Sequence, residues 1–222
     1  MPEHPALKGL YPFLHGERQD PEAMRRALLE SVRQKAQDSV SAKEGFFAAQ
    51  APAVVAVAEA IAAVYRRQGR MFSMGNGGSS CDASHFAVEF LHPVTTGRPA
   101  LTAINLASDM AMITAVGNDV GFAHIFLRQL VALGRLGDGV VGFSTSGNSE
   151  NLLRAAREAG RRELATIGIS GDGGGRMAAE EAFDHCFVVR SSSVHRIQEV
   201  QTTLCHLFVE LVQGSLEGRA CA

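Results

Sequence analysis

Met71-Phe72-Ser73-Met74-Gly75-Asn76-Gly77-Gly78-Ser79-Ser80-Cys81-Asp82 carries the chain from a short apolar run, through a glycine- and serine-rich turn, into a helical segment. A second passage repeats the pattern: Val140-Val141-Gly142-Phe143 leads into Ser144-Thr145-Ser146-Gly147-Asn148-Ser149 and another helix. A strand that stops at such a turn and restarts as a helix aims backbone N–H groups and hydroxyls at one spot, which makes a cradle for an anion. Neither turn has the Gly-x-Gly-x-x-Gly pattern of a dinucleotide site or the Gly-Lys-Ser/Thr ending of a triphosphate loop. The hydroxyls of the second turn suit a small phosphate monoester, so a phosphorylated ligand is expected and a nucleotide cofactor is not.

Outward from these turns, apolar runs alternate with helical segments. Residues 71–74, 101–105, 140–143, 165–169 and 186–189 read as five strands. Such alternation implies a mostly parallel sheet covered on both faces, an α/β three-layer αβα sandwich with ligands at the carboxyl ends of the strands. Gly171-Asp172-Gly173-Gly174-Gly175 forms a third turn at the same edge, readable either as a loop with positive φ angles or as a ligand contact.

Upstream, residues 1–19 lack periodicity and read as an extension preceding a single domain over 20–222. Asp20-Pro21-Glu22 combines a capping side chain, a first-turn proline and an acid, which starts a helix. Met24, Leu28 and Val32 continue its stripe. A second helix over about 46–67, with Val54, Val57, Ile61 and Val64 on its apolar face, ends at Gly69. Two helices therefore precede the first strand as an N-terminal helical extension of the sheet. Their apolar faces predict packing against another subunit.

The 222 residues are 46% hydrophobic and 20% charged, enough for one sizeable core. With 21 Lys and Arg against 23 Asp and Glu the formal charge is −2, so no basic field draws in nucleic acid or an anionic membrane. The first residues lack the basic and apolar regions of a secretory signal, and the apolar stretch 51–65, interrupted by Glu59, is too short to cross a bilayer. A cytoplasmic location is expected. Cys81, Cys186, Cys205 and Cys221 have no Cys-x-x-Cys spacing and read as plain thiols.

The helix opened by the first turn carries His85 and Glu89, four apart and on one face. That spacing suits a shared metal or a base with its partner, and equally a surface ion pair. The last helix carries Gln198 and His206, whose eight-residue separation is roughly 12 Å of axial rise. On spacing alone the two are as readily a surface glutamine and a core histidine. His124 and His185 have no spacing or turn to recommend them and read as structural.

Taken in order, Gly75-Asn76-Gly77-Gly78-Ser79, Cys81-Asp82-Ala83, His85-Phe86-Ala87-Val88-Glu89, Val116-Gly117-Asn118-Asp119, Ser144-Thr145-Ser146-Gly147-Asn148-Ser149, Gly173-Gly174 and Arg196-Ile197-Gln198-Glu199 resemble the phosphoheptose isomerases of the SIS (sugar isomerase) superfamily. The likeness spans about residues 22–215. It implies a flavodoxin-like SIS fold, a homotetramer with active sites between subunits, and conversion of D-sedoheptulose 7-phosphate to D-glycero-D-manno-heptose 7-phosphate through an enediol. It also implies that Asn76, Gly77, Gly78, Glu89, Ser108, Asp109, Ser144, Thr145, Ser146, Ser149 and Gln198 contact substrate. Glu89 and His206 would transfer the proton, and His85, Glu89, Gln198 and His206 would hold one zinc ion per subunit. The chemistry matches the residue types, since moving a proton between neighbouring carbons needs a base at carbon and an acid or electrophile at oxygen.

The alternative within the superfamily is a catalytically silent tetramer that binds the replication initiator DnaA, or a phosphosugar sensor. The silent relatives lack the Glu and His found here at 89 and 206, and the chain shows no DNA-binding appendage. The sequence departs from the family pattern after Glu89, where a Thr-Gly-Arg-like segment is replaced by Phe90-Leu91-His92-Pro93 and the next arginine is Arg98. His195 also stands where many members carry an acid.

Overall fold

The structure is a computed structural model that describes residues 20–95 and 97–218. The predicted extension at 1–19 and Cys221 lie outside the described residues. Five strands, β1 (Met71–Gly75), β2 (Ala103–Asn105), β3 (Gly139–Ser144), β4 (Ala165–Gly171) and β5 (His185–Val189), form one all-parallel sheet in the order β2-β1-β3-β4-β5. The helices are α1 (Pro21–Arg66), α2 (Gly78–Leu91), α3 (Met110–Asp119), α4 (Ile125–Leu133), α5 (Glu150–Arg161), α6 (Gly175–Ala179) and α7 (Val194–Glu217), and those from α2 onward, with α1 from Phe46, cover the sheet.

Side-chain alternation along the strands divides the core. Met71, Val141, Phe143, Ile167 and Ile169 pack with α2, α7 and the part of α1 from Phe46 onward on one face. Phe72, Met74 and Val140 pack with α3, α4, α5 and α6 on the other. Period-two alternation with both sets buried is what a sheet enclosed on both sides requires. On the second face Gly142 of β3 lies in register with Gly168 of β4, leaving a hollow between strands. A Cβ on Gly168 would come within 3.0 Å of Met177 Cε and 3.1 Å of the Phe183 ring, so those two side chains fill the space the glycine leaves.

One expectation is corrected. The two helices before the first strand are a single helix of 46 residues that runs through Pro52. Residues 33–44 are mostly strong helix formers such as Gln, Lys, Ala and Glu, and no turn signal interrupts them. The proline removes one hydrogen bond without ending the helix. The start is as expected, with Asp20 Oδ1 and Oδ2 each accepting from a first-turn N–H, of Glu22 and Ala23, at 3.2 Å. By length and composition α1 has a stretch apolar enough to cross a membrane. From Phe46 onward its buried residues Val54, Val57, Ala58, Ile61 and Val64 serve the core instead.

The chain divides into two compact units between Val40 and Ser41. Within the first, Met24, Leu28, Leu29 and Val32 of α1 are exposed apolar side chains.

Gly168→Val is expected to overfill the hollow beneath Phe183 and Met177 and to destabilise the fold by about 1–3 kcal/mol. Urea denaturation of the variant beside the parent measures this.

Candidate active site

The strand order reverses between β1 and β3, because β1 has β2 on one side and β3 on the other. At such a switch point the loops leaving neighbouring strands diverge to opposite faces and open a crevice at their carboxyl ends. Asn76, Gly77 and Gly78 follow β1, Ser144 to Ser149 end β3 and follow it, and Ser108 and Asp109 follow β2. Every residue expected to contact substrate through these turns therefore stands at one edge of the sheet.

The first turn is shaped by two glycines. Gly77, at φ 55° and ψ −126°, precedes α2 in a conformation that L side chains rarely adopt. A Cβ on Gly78 would approach within 2.4 Å of Gln198 Nε2, so Gln198 of α7 sits directly on the backbone of this turn. The first turn is also tied to the second. Asn76 and Asn151 exchange two amide hydrogen bonds, each of 2.9 Å, and Asn151, in the first turn of α5, is only 2% exposed. Sequence reading missed Asn151. Its signal, a polar amide in the first helical turn after a serine-rich loop, is common to many caps.

In the second turn Ser144 Oγ lies 3.1 Å from Ser149 Oγ and accepts from the Gly147 N–H at 3.2 Å. Ser144 is buried, Thr145 and Ser149 are half-buried and Ser146 is exposed. The third glycine turn supports this one. Met177 N–H donates to Gly147 O at 2.9 Å, Arg176 N–H donates to Asn148 Oδ1 at 3.0 Å, and a Cβ on Gly147 would lie 2.0 Å from Gly174 O. Gly174 and Gly175 thus have a packing role beneath the second turn. Ser108 Oγ donates to Asn105 O at 2.7 Å, and the Asp109 carboxylate accepts from Met112 N–H at 3.0 Å as the cap of α3.

Helices α2 and α7 pack side by side and present complementary polar stripes. On α2, Asp82, His85 and Glu89 recur at helical spacing; on α7, Gln198, Thr202, Cys205 and His206 do the same. His85 Nε2 lies 2.9 Å from His206 Nε2, with the rings nearly edge-on at 73°, and 3.8 Å from Glu89 Oε1. Ligand-capable atoms of His85, Glu89 and His206 all fall within 4.8 Å of one another. The histidine pair closes a contact 121 residues long in sequence. Gln198 meets the site elsewhere, toward the first turn, where it bonds Asp82 and covers Gly78.

Burial sets the charges here. Partial desolvation lowers the His85 pKa, more than the Glu89 carboxylate restores, and His206 lowers it further, so the imidazole is neutral near pH 7. Burial pushes the Asp82 carboxyl up to about 6 from an ordinary 3.8, against hydrogen bonds from Thr202 and Gln198 that pull it down. The Cys205 thiol, buried beneath the stripe, is pushed well above its ordinary value by desolvation, then by Asp82 and Glu89.

An open parallel sheet with a hydroxyl-lined turn at its switch point and a carboxylate–imidazole cluster beside it defines a sugar-phosphate-binding α/β protein. Residues 36–171 match the SIS domain family. The chain is 43% identical to the phosphoheptose isomerase of Desulfovibrio desulfuricans over 85% of this chain and 89% of that one. It is 41% identical to the phosphoheptose isomerase of Roseiflexus sp. over 80% and 89% respectively. The structure of a phosphoheptose isomerase from Francisella tularensis superposes with a TM-score of 0.79 at 33% identity, covering 83% of this chain and 97% of that one. The chain belongs to the phosphoheptose isomerase family of SIS-domain proteins.

Asp82 gives a pH-dependent test of this geometry. Its carboxyl ionises at lower pH in the unfolded chain than in the folded one, so folding stability is fully present below about pH 4 and falls as pH rises through 6. Asp82→Asn removes that loss. Its melting temperature is expected to exceed the parent's by a few degrees at pH 8 and to match it at pH 4, as followed by circular dichroism.

Proposed function

We propose that the protein is an aldose–ketose isomerase that interconverts D-sedoheptulose 7-phosphate and D-glycero-D-manno-heptose 7-phosphate. The observation that carries this reading is the convergence of Glu89, His85 and His206 on neighbouring helices beside the β1/β3 switch point. The hydroxyl turn Ser144, Thr145, Ser146 and Ser149, with Asn76, Gly77 and Gly78 opposite, holds the phosphate and chain of the sugar. Fixing that distant end places the reacting carbons at the cluster. Ser108 and Asp109 line the third side.

Starting from the ketose, Glu89 takes a proton from C1. The C–H electrons form the C1=C2 bond, and the carbonyl electrons pass to the C2 oxygen, which receives a proton from His206. His206, left without that proton, then takes the C1 hydroxyl proton; the O–H electrons form the C1 carbonyl, and the C1=C2 electrons take up at C2 the proton that Glu89 returns. A positioned base of this kind contributes on the order of 100- to 10,000-fold.

The donor set also fits zinc. Two imidazoles and a carboxylate are common zinc ligands, and tetrahedral bonds of about 2.0–2.1 Å separate ligand atoms by roughly 3.3 Å. The observed 2.9 and 3.8 Å bracket that spacing, and His85 is held neutral as a ligand must be. His85, Glu89 and His206 would hold the ion, whereas Gln198, the fourth ligand that the resemblance implies, stands at the first turn against Gly78. When bound, it supplies a Lewis acid for the sugar oxygens. A carboxylate has two oxygens and an imidazole two nitrogens, so ligation and proton transfer need not use the same atom.

Exposed Met24, Leu28 and Val32 at helical spacing in the first compact unit support a homo-oligomer, which we assign as a tetramer with a cytoplasmic location. The silent alternative is disfavoured by the acid and imidazole that such a protein would not need.

Glu89→Gln is expected to cut turnover of sedoheptulose 7-phosphate at least about 1,000-fold while leaving binding of the phosphosugar within a few-fold. Retained turnover in this variant would remove Glu89 from the reaction, and no turnover by the parent with or without zinc would remove the isomerase reading. Zinc is expected to raise the melting temperature of the parent and not that of His85→Ala. Light scattering should report a tetramer at micromolar concentration; a monomer contradicts the assembly.

A further inference from the structure

The connection from α2 to β2 carries a cation that the reaction described above does not use. Its backbone is tied to both helices of the site. His92 N–H donates to Val88 O and Leu101 N–H to Phe90 O, each at 2.8 Å, which pins both ends to the last turn of α2. Pro99 O accepts from Gln213 Nε2 at 3.2 Å, and Gln213 is a fully buried residue of α7. Between these anchors Arg98 N–H closes a turn onto Thr95 O at 3.3 Å, with Gly97 at φ 88°. Arg98 is thus mounted on a braced segment.

Its side chain is half-buried and has no hydrogen bond or ion pair with the described residues. It lines a cavity of about 160 Å³ together with Glu89, Pro93, His206 and Glu210. No other lysine or arginine lines that cavity among the described residues. At position 93, one helical turn beyond Glu89, the chain has proline, which offers neither charge nor donor.

A guanidinium stays charged at any working pH and presents five donors in a planar fork. Holding one half-buried beside two carboxylates, yet bonded to neither in the structure, leaves its donors for something that enters the cavity. The cavity opens on Glu89 and His206, the pair placed at the reacting carbons, whereas the hydroxyl turn for the phosphate lies after β3. During proton transfer, negative charge develops on the C1 and C2 oxygens. A cation lining the same cavity as Glu89 and His206 stabilises the transition state more than the ground state.

We propose that Arg98 is a substrate-contacting residue of the isomerisation, its guanidinium meeting the C1 and C2 oxygens of the sugar and bearing the charge of the enediolate. The inference rests on the isomerase reading. It assigns to the α2–β2 connection a part in the chemistry, with the phosphate held at the other end of the substrate.

The test is steady-state kinetics of R98A and R98K with sedoheptulose 7-phosphate, alongside inhibition of each by inorganic phosphate as a probe of the hydroxyl turn. Arg98→Ala should lower kcat about 100-fold, with KM and the phosphate inhibition constant within about threefold of the parent. Arg98→Lys retains stem and charge without the fork and should lower kcat about tenfold at an unchanged melting temperature. It decides the matter alone if the alanine variant fails to fold. A kcat within threefold of the parent in the folded variants overturns the assignment. So does a loss confined to KM with phosphate inhibition weakened in parallel, which would place Arg98 at the phosphate. Absence of turnover in the parent itself defeats the isomerase reading, whereas an active parent with undiminished variants defeats only the role of Arg98.

Discussion

The contact between α2 and α7 is the constraint on which the site depends. Both helices lie on the same face of the sheet, each launched from the carboxyl edge by a strand that precedes it, so they run side by side with their N-termini at the ligand edge. Residues spaced by three or four along each helix then fall in register across the contact. Asp82 meets Thr202 and Gln198, and His85 meets His206. Polar groups in such a seam are costly unless they bond one another or a ligand. Asp82 Oδ2 is left without a partner in this seam, at some expense to stability, while the two imidazole nitrogens lie within hydrogen-bond distance of each other.

The other half of the site is rigid backbone. The turn after β1 is locked to α5 by the Asn76–Asn151 amide pair and capped by Gln198, while the turn after β3 rests on Gly174 and Arg176. These links cross the switch point and fix the two turns against each other. Small residues recur at the turns because the backbones of three loops and one glutamine occupy the same few ångströms.

Much of this was legible in the sequence, for identifiable reasons. The five strands announced themselves by short apolar runs between helical segments, and the two turns by glycines and hydroxyls that a plain connection does not need. Asp20 was readable as a cap because capping is local. The join of two expected helices into α1 was missed because the first apolar stripe was followed only as far as Val32 and the next begins near Phe46, and the mostly polar residues between them show no apolar face to read. What resemblance supplied and spacing did not was the pairing of His85 with His206. Those residues are brought together by the sheet order, and no local periodicity encodes a contact across 121 residues. Asn151, Gln213 and the orientation of Arg98 escaped for the same reason: each acquires its role from an element distant in sequence.

The central claim is that Glu89 and His206 move a proton between adjacent carbons of a bound phosphosugar. Proton NMR of the reaction in D2O tests it directly. A proton passed through a side-chain carboxylate exchanges with solvent, so the account expects deuterium at C2 of the aldose and C1 of the ketose as the reaction approaches equilibrium. Full interconversion with no deuterium at either carbon would contradict the account.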